Sequence, residues 1–412
     1  MFVMFVTMDR SLRAGRLATF AYFVLNGFIM GIWIVHIPTV EQRTGVSHAL
    51  LGWLLLLLGG SAFAGMQLVG PLTDRFGARK VVPVSAAVCS AALVLPGLAT
   101  NAWTLGGALV VLGFGNGCLD VSMNAHAVRV ERGYARPIMS AFHALFSIGG
   151  VLAALVGALT LRAGWSAATT LGIMALLGIV TAGLVAPALL RPEPVLHEDG
   201  ARPAASAGKR RTPRRIWILA VLAFMLMLCE GVANDWSTLQ LHDVLDAPAA
   251  TAAFAYGAFA TAMTVGRLVT DRVAARVGPV AVLRWGSALA AVGLTLAALS
   301  PAVPPALVGW ALFGAGLSGC IPQLFSAAGH TDPEAAGTNV SRVAGLGYLG
   351  MLAGPAVIGP LTAFVPLNVT FFLPVAFCVL AGFTARILHA KPSAPAEEEK
   401  TPVANTTASQ EA

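Results

Sequence analysis

Charge is what this chain has least of. Only 11% of its 412 residues are Asp, Glu, Lys or Arg, against about a quarter in an ordinary soluble domain. Apolar residues make up 57%. No water-soluble fold of this size hides that much apolar surface, so the solvent of this chain is lipid. Cysteine is scarce as well: Cys89, Cys118, Cys229, Cys320 and Cys378 each lie within an apolar run. None stands at metal-ligand spacing or in a loop where a disulfide would form, so they read as small apolar fillers. A Gly-Lys-Ser/Thr phosphate loop, a His-Glu-x-x-His pair and a polar domain able to hold a nucleotide are missing too. Gly113-Phe114-Gly115-Asn116-Gly117 sits inside an apolar run and reads as helix packing, not as a dinucleotide turn. Neither an enzyme nor a metal or cofactor site is expected.

What is present is a series of apolar runs of bilayer-spanning length. Twelve are predicted, at 17–37, 49–70, 81–99, 103–127, 138–160, 165–189, 216–240, 251–270, 279–299, 304–328, 341–363 and 368–388. Backbone groups in hydrocarbon must be satisfied within the segment, so runs this long should be helices and not barrel strands. The formal net charge of +7 would suit nucleic acid, but its distribution points elsewhere. Arg10, Arg13 and Arg16 precede the first span. Every second loop then carries the cations: Arg75, Arg79 and Lys80; Arg129, Arg132 and Arg136; Lys209 to Arg215; Arg267, Arg272 and Arg276. The opposite side keeps only Arg43 and Arg162. This is the positive-inside bias. It predicts a multi-pass protein of a bacterial inner membrane, with both termini cytoplasmic, anionic lipid as neighbour and no nucleic-acid partner.

Residues 191–215 break the apolar pattern with Arg191-Pro192-Glu193-Pro194, an Ala/Pro/Gly stretch and Lys209-Arg210-Arg211. Such a segment packs no core and is expected to be a cytoplasmic linker. It divides an N-terminal six-span half (1–190) from a C-terminal one (216–390). The polar 391–412 tail, with Glu397-Glu398-Glu399, is expected to be disordered.

The halves repeat each other. Gly70-Pro71-Leu72-Thr73-Asp74-Arg75-Phe76-Gly77-Ala78-Arg79-Lys80 returns, worn, as Gly266-Arg267-Leu268-Val269-Thr270-Asp271-Arg272 with Arg276 and Gly278. Phe114-Gly115-Asn116-Gly117 returns as Phe313-Gly314-Ala315-Gly316, and Ser147-Ile148-Gly149-Gly150 lines up with Gly347-Tyr348-Leu349-Gly350. Near-constant spacing of these landmarks implies a duplicated six-plus-six plan with a site between the halves.

The first hairpin resembles the signature loop between helices 2 and 3 of the major facilitator superfamily, with every signature position filled. More narrowly, Gly117-Cys118-Leu119-Asp120-Val121-Ser122-Met123-Asn124, Glu230-Gly231-Val232-Ala233-Asn234-Asp235-Trp236 and Gly345-Leu346-Gly347-Tyr348-Leu349-Gly350 are similar to a bacterial permease branch that includes MosC, a protein associated with rhizopine transport. The resemblance implies an all-α membrane protein, twelve transmembrane helices in two pseudo-symmetric six-helix bundles, working by alternating access. It implies that Asp74 and its neighbours Gly70, Arg75, Gly77 and Arg79, with Asp271 and Arg272 in the second copy, form a cytoplasmic latch. It also implies that spans 1, 4, 7 and 10 line a cavity.

Polar residues fall on those spans. A carboxylate at lipid depth is costly and faces a cavity, which makes Asp120 and Glu230 candidates for proton coupling. Asn124 and Asn234 each follow one turn later on the same face. Asn26, Trp33 and His36 share a face of span 1, His143 stands between Ser140 and Ser147 on span 5, and Gln323 aligns with Asn124 in the repeat. Asn26, Trp33, Asn124, His143, Asn234 and Gln323 are the expected substrate contacts. No Arg or Lys falls within the cavity-lining parts of spans 1, 4, 7 and 10, which disfavours anionic substrates. The sequence-level expectation is proton-coupled uptake of a small neutral polar solute (sugar, polyol or inositol-like) by a monomer. Efflux of an amphiphilic or cationic compound stands as the alternative, and a transporter-like solute sensor as an alternative of another class.

Overall fold

The computed structural model describes residues 2–134, 136–191 and 212–389. Most of the expected linker, Lys209 to Arg211 included, and the expected 391–412 tail lie outside the described residues. Among the described residues there is no strand. Twelve helical spans follow one another: α1 (Phe2–Thr44), α2 (His48–Phe76), α3 (Ala78–Leu98), α4 (Ala102–Tyr134), α5 (Met139–Arg162), α6 (Ala167–Ala188), α7 (Arg214–Val244), α8 (Ala249–Val277), α9 (Pro279–Leu299), α10 (Val303–Thr331), α11 (Ala336–Leu361) and α12 (Leu367–Leu388). Each coincides with an apolar run of the sequence. Eleven are long and apolar enough to cross a membrane. The other is α8, which has 29 residues but carries Arg267, Asp271, Arg272 and Arg276 in its second half.

Prolines set the interruptions. A helical proline lacks a donor and its ring crowds the carbonyl four residues back. α3 breaks at Leu93, ahead of Pro96; α10 breaks at Ser318 and Gly319, ahead of Pro322; α12 breaks at Phe371, ahead of Pro374. The break in α10 comes just before Ile321 and Phe325, which line the cavity described below. The tight joints α2–α3 and α8–α9 turn on Gly77 (φ 80°) and Gly278 (φ 82°). That left-handed backbone suits glycine alone, which is why both copies of the hairpin keep one there.

Helix pairing repeats between the halves. In the first, α1 packs on α5, α2 and α3 on α4, and α3 on α6; in the second, α7 packs on α11, α8 and α9 on α10, and α9 on α12. Each pair maps onto the other by adding six to the helix number, as a gene duplication requires. Each half has its own apolar core, one around Tyr22, Trp33, Leu93 and Phe142, the other around Phe259, Trp310, Phe313 and Phe371. The halves meet along two equivalent seams, α2 with α11 and α5 with α8.

Within each half the backbones come close where the repeat places glycine. A Cβ on Gly117 would run into the Ala62 carbonyl of α2, and one on Gly314 into the Phe259 carbonyl of α8. Gly107 on the same helix as Gly117 faces open space. Gly117→Val should therefore cost at least about 2 kcal/mol by overpacking, whereas Gly107→Val should be near neutral. Equal thermal melting of the two purified variants would contradict this packing.

Candidate functional site

At the centre, between the halves, lies a cavity of about 90 Å³. Its wall is Phe23 of α1, Asp120 and Met123 of α4, His143 and Phe146 of α5, Met227 and Glu230 of α7, Arg267 of α8, Ile321 and Phe325 of α10, and Tyr348 and Met351 of α11. Both carboxylates expected from the sequence are on it, from opposite halves.

Their surroundings differ. Asp120 is 5% exposed and its Oδ2 has no partner. Asn124, one turn on, donates to the Asp120 main-chain carbonyl at 2.9 Å and approaches Oδ1 only at 3.5 Å. Glu230, by contrast, is paired: its Oε1 lies 3.5 Å from Nη2 of Arg267. Arg267 also donates from Nη1 to Ser147 Oγ of α5 at 3.1 Å. One guanidinium thus joins α7 and α8 of the second half to α5 of the first, and its Nε is buried without a partner. Burying these charges in a low-dielectric site is tolerable because they pair; removing one member of such a pair typically costs 3–5 kcal/mol. The His143 ring sits against Phe23 (5.6 Å between centroids) and Phe325 (5.8 Å), with Nε2 unpartnered. Unpaired buried polar atoms gathered on one wall are what a site for water or a polar solute looks like.

Arg267 overturns one expectation. The sequence assigned it to a basic loop and found no cation in the cavity-lining parts of spans 1, 4, 7 and 10. Those four spans indeed contribute none, but α8 runs far enough for Arg267 to enter the cavity, so the ground for disfavouring anionic substrates is lost. The signal was present: a basic residue one position after the hairpin glycine, where the first copy has Pro71. Tyr348 is the other polar wall residue the sequence reading left without a role, although it lies in a segment already singled out.

The remaining predicted contacts are placed elsewhere. Asn124 and Asn26 are buried, with side-chain amide atoms lacking partners, but neither is on the cavity wall. Trp33, 1% exposed, belongs to the core of the first half. His36 bonds the Ile32 carbonyl of its own helix at 2.8 Å. Asn234 is exposed, a turn beyond Glu230. Gln323 lines a second cavity of about 430 Å³ nearer the hairpins, with Glu131, Arg132 and Ser326.

Between the cavity and the hairpins the halves are tied together. Asp74 accepts from the Gly337 amide (2.7 Å), the Thr338 amide (2.8 Å) and Thr338 Oγ1 (2.5 Å). Asp271 accepts from the Ser140 amide (2.9 Å) and the Ala141 amide (2.6 Å). The donor sites are equivalent: Gly337 and Thr338 open α11, and Ser140 and Ala141 open α5. The residues before those helices, Ala335 and Ile138, supply no side-chain cap. Each helix is instead capped across the seam by the opposite half, a charge-assisted contact that the positive N-terminal end of a helix favours. Gly70 and Gly337 let the α2 and α11 backbones approach, since a Cβ on Gly337 would lie 2.7 Å from the Gly70 carbonyl. The hairpin arginines act elsewhere. Arg75 lies over the Phe76 ring, Arg79 donates to the Pro187 carbonyl at 3.2 Å, and Arg272 is exposed. In the expected latch the carboxylates therefore meet helix-start amides of the opposite half, while Arg75 and Arg79 take other partners. Three further ties were not foreseen: Ser326 of α10 donates to Glu131 of α4, Arg132 of α4 donates to the Gly329 carbonyl of α10, and Gln67 of α2 donates to the Ser341 carbonyl of α11 at 3.1 Å.

A cavity between twin six-helix halves, sealed on one side by reciprocal contacts, is the arrangement of a secondary transporter. The sequence profile of the Major Facilitator Superfamily matches residues 18–322 and 236–410, and the chain belongs to that family. It is 35% identical to an uncharacterized MFS-type transporter of Yersinia pestis over 352 residues, 85% of this chain and 89% of the relative. It is 29% identical to the membrane protein MosC of Rhizobium meliloti over 360 residues, 87% and 86% of the two chains. Its fold is that of FucP, a Major Facilitator Superfamily transporter, in the outward conformation: TM-score 0.77 at 18% identity, covering 93% of this chain and 100% of that one.

Loss of one cross-seam cap should weaken the sealed state by about 1–2 kcal/mol, roughly a 5–30-fold shift in a two-state ratio. With spin labels at Lys80 and Pro333, Asp74→Asn and Asp271→Asn should each populate longer distances in pulsed electron–electron measurements. Unchanged distance distributions in both would show that the aspartates do not hold this face shut.

Proposed function

We propose that the protein is a proton-coupled transporter for the uptake of a small neutral polar solute, a polyol, sugar or inositol-like compound, across a bacterial inner membrane. The hairpin face and both termini are cytoplasmic in this reading, following the positive-inside bias. The observation that carries it is the unequal state of the two cavity carboxylates. Asp120 Oδ2 is buried and free, so a proton or a substrate hydroxyl can take it. Glu230 is already matched by Arg267.

Asp120 is then the proton carrier, and Glu230 with Arg267 senses what enters. Asp74 and Asp271 hold the cytoplasmic side shut while the solute loads. With Asp120 protonated the wall is neutral overall, and it offers Arg267, Tyr348 and His143 beside Glu230 for hydrogen bonding to hydroxyl groups. Gln323 and the buried amides of Asn26 and Asn124 lie off this wall and would meet the solute only after the halves rock, while Asn234 would serve its entry. Trp33 is not among the proposed contacts, because its ring is committed to the core.

A second reading has its own support. With Arg267 in the cavity, a solute bearing one carboxylate could displace Glu230 from the guanidinium. A binding screen of polyols, amines and small carboxylates on the purified protein separates the two. In proteoliposomes loaded with the solute so identified, Asp120→Asn should abolish accumulation driven by a pH gradient, by at least 100-fold, while exchange of solute persists. If accumulation in both Asp120→Asn and Glu230→Gln keeps its full dependence on the gradient, the coupling assignment is wrong.

A further inference from the structure

A groove larger than the central cavity lies outside it. It lies on the flank of the second half between α9 and α12, has a volume of about 580 Å³, and is lined by Arg284, Ala288, Cys378, Val379, Gly382, Phe383 and Arg386. Neither the transport reading nor the repeat accounts for it. We propose that this groove binds an anionic phospholipid, with its phosphate on Arg284 and Arg386 and an acyl chain along the apolar wall.

The wall is built for an amphiphile. Ala288 and Val379 are apolar residues of spans long and greasy enough to cross the bilayer, so this part of the groove opens toward lipid chains. Gly382 makes the trough: a Cβ there would come within 3.4 Å of the Arg284 carbonyl and 3.9 Å of the Ser287 Cβ, so any larger residue begins to fill it. The two arginines lie toward the hairpin end of these helices. Arg284 is in the second turn of α9, which starts at Pro279, and Arg386 is in the last turn of α12. Trp285 and Phe383 beside them are 70% and 80% exposed, as aromatic residues are at the membrane–water interface. Among the described residues no acidic side chain lines the groove, so two positive charges face it without a described counter-charge on its wall.

Guanidinium groups match phosphate oxygens in geometry, and basic pockets between spans on the cytoplasmic side suit anionic headgroups. A free phosphate would use the arginines but not the apolar trough. A zwitterionic lipid would use the trough but gain less from two cations. The occupant that uses both is an anionic phospholipid.

The test uses the full-length protein, delipidated in detergent and titrated with phosphatidylglycerol or phosphatidylcholine, read by native mass spectrometry. Phosphatidylglycerol should bind the wild type at least tenfold more tightly. The double variant Arg284→Ala/Arg386→Ala should lose that preference to within a factor of about two. Gly382→Leu, which fills the trough and keeps both arginines, should lower affinity for both lipids. Arg276→Ala, removing an exposed cation on the same face, should change nothing. The proposal is overturned if the double variant keeps the tenfold preference. It is equally overturned if inorganic phosphate competes with phosphatidylglycerol at equal concentration, since that would mark a bare anion site, or if Gly382→Leu binds both lipids as the wild type does.

Discussion

Helices α5 and α11 begin without a side-chain cap of their own, and each borrows one from the other half of the molecule. Asp74 closes the start of α11 and Asp271 closes the start of α5. Much else depends on these contacts. They fix the α2–α11 and α5–α8 seams at one end and bring the halves close enough for the central wall to include residues from both. They also tie the two halves together at that end without burying an ion pair. A carboxylate on backbone amides is directional and short, yet it leaves nothing charged and unmatched in hydrocarbon if the halves part and water enters. A carboxylate–guanidinium latch would pin two side chains; this one pins two helix ends.

The central wall divides its charges in the same economical way. Glu230 and Arg267 neutralise one another, which leaves Asp120 as the carboxylate whose state sets the net charge of the chamber. The aromatic rings of Phe23, Phe146 and Phe325 surround these groups and leave a volume of about 90 Å³, room for about three waters at some 30 Å³ each. With the halves so arranged the chamber is small, and a solute larger than a few waters must be admitted by movement of the helices around it.

How much of this the sequence disclosed follows from the kind of information each feature needs. The twelve spans were legible because bilayer thickness fixes their length and hydrocarbon fixes their composition. The duplicate plan was legible because Gly77 and Gly278 must both sit at a left-handed joint. Asp120 and Glu230 stood out because a carboxylate at lipid depth is rare. Trp33 misled, since a tryptophan facing a cavity and one facing a core look alike in one dimension. Arg267 misled in the opposite sense. A cation near the end of a span reads as a loop charge until the length of α8 is known. The cross-seam caps left no distinctive trace, because α7, α8, α10 and α12 also start after Pro or Ala, and a missing cap does not name the acceptor that compensates for it.

Arg267 touches Glu230 on one side and Ser147, across the seam, on the other. The same guanidinium is therefore a term in two equilibria, occupancy of the chamber and closure of α5 against α8. Linkage makes such a shared term reciprocal. Whatever draws Glu230 away from the arginine must alter how firmly the seam holds, and whatever parts the seam must alter affinity in the chamber by the same factor. On the proposed function, selectivity and gating are then coupled through Arg267, and an inherited change at either of its neighbours would be felt in both.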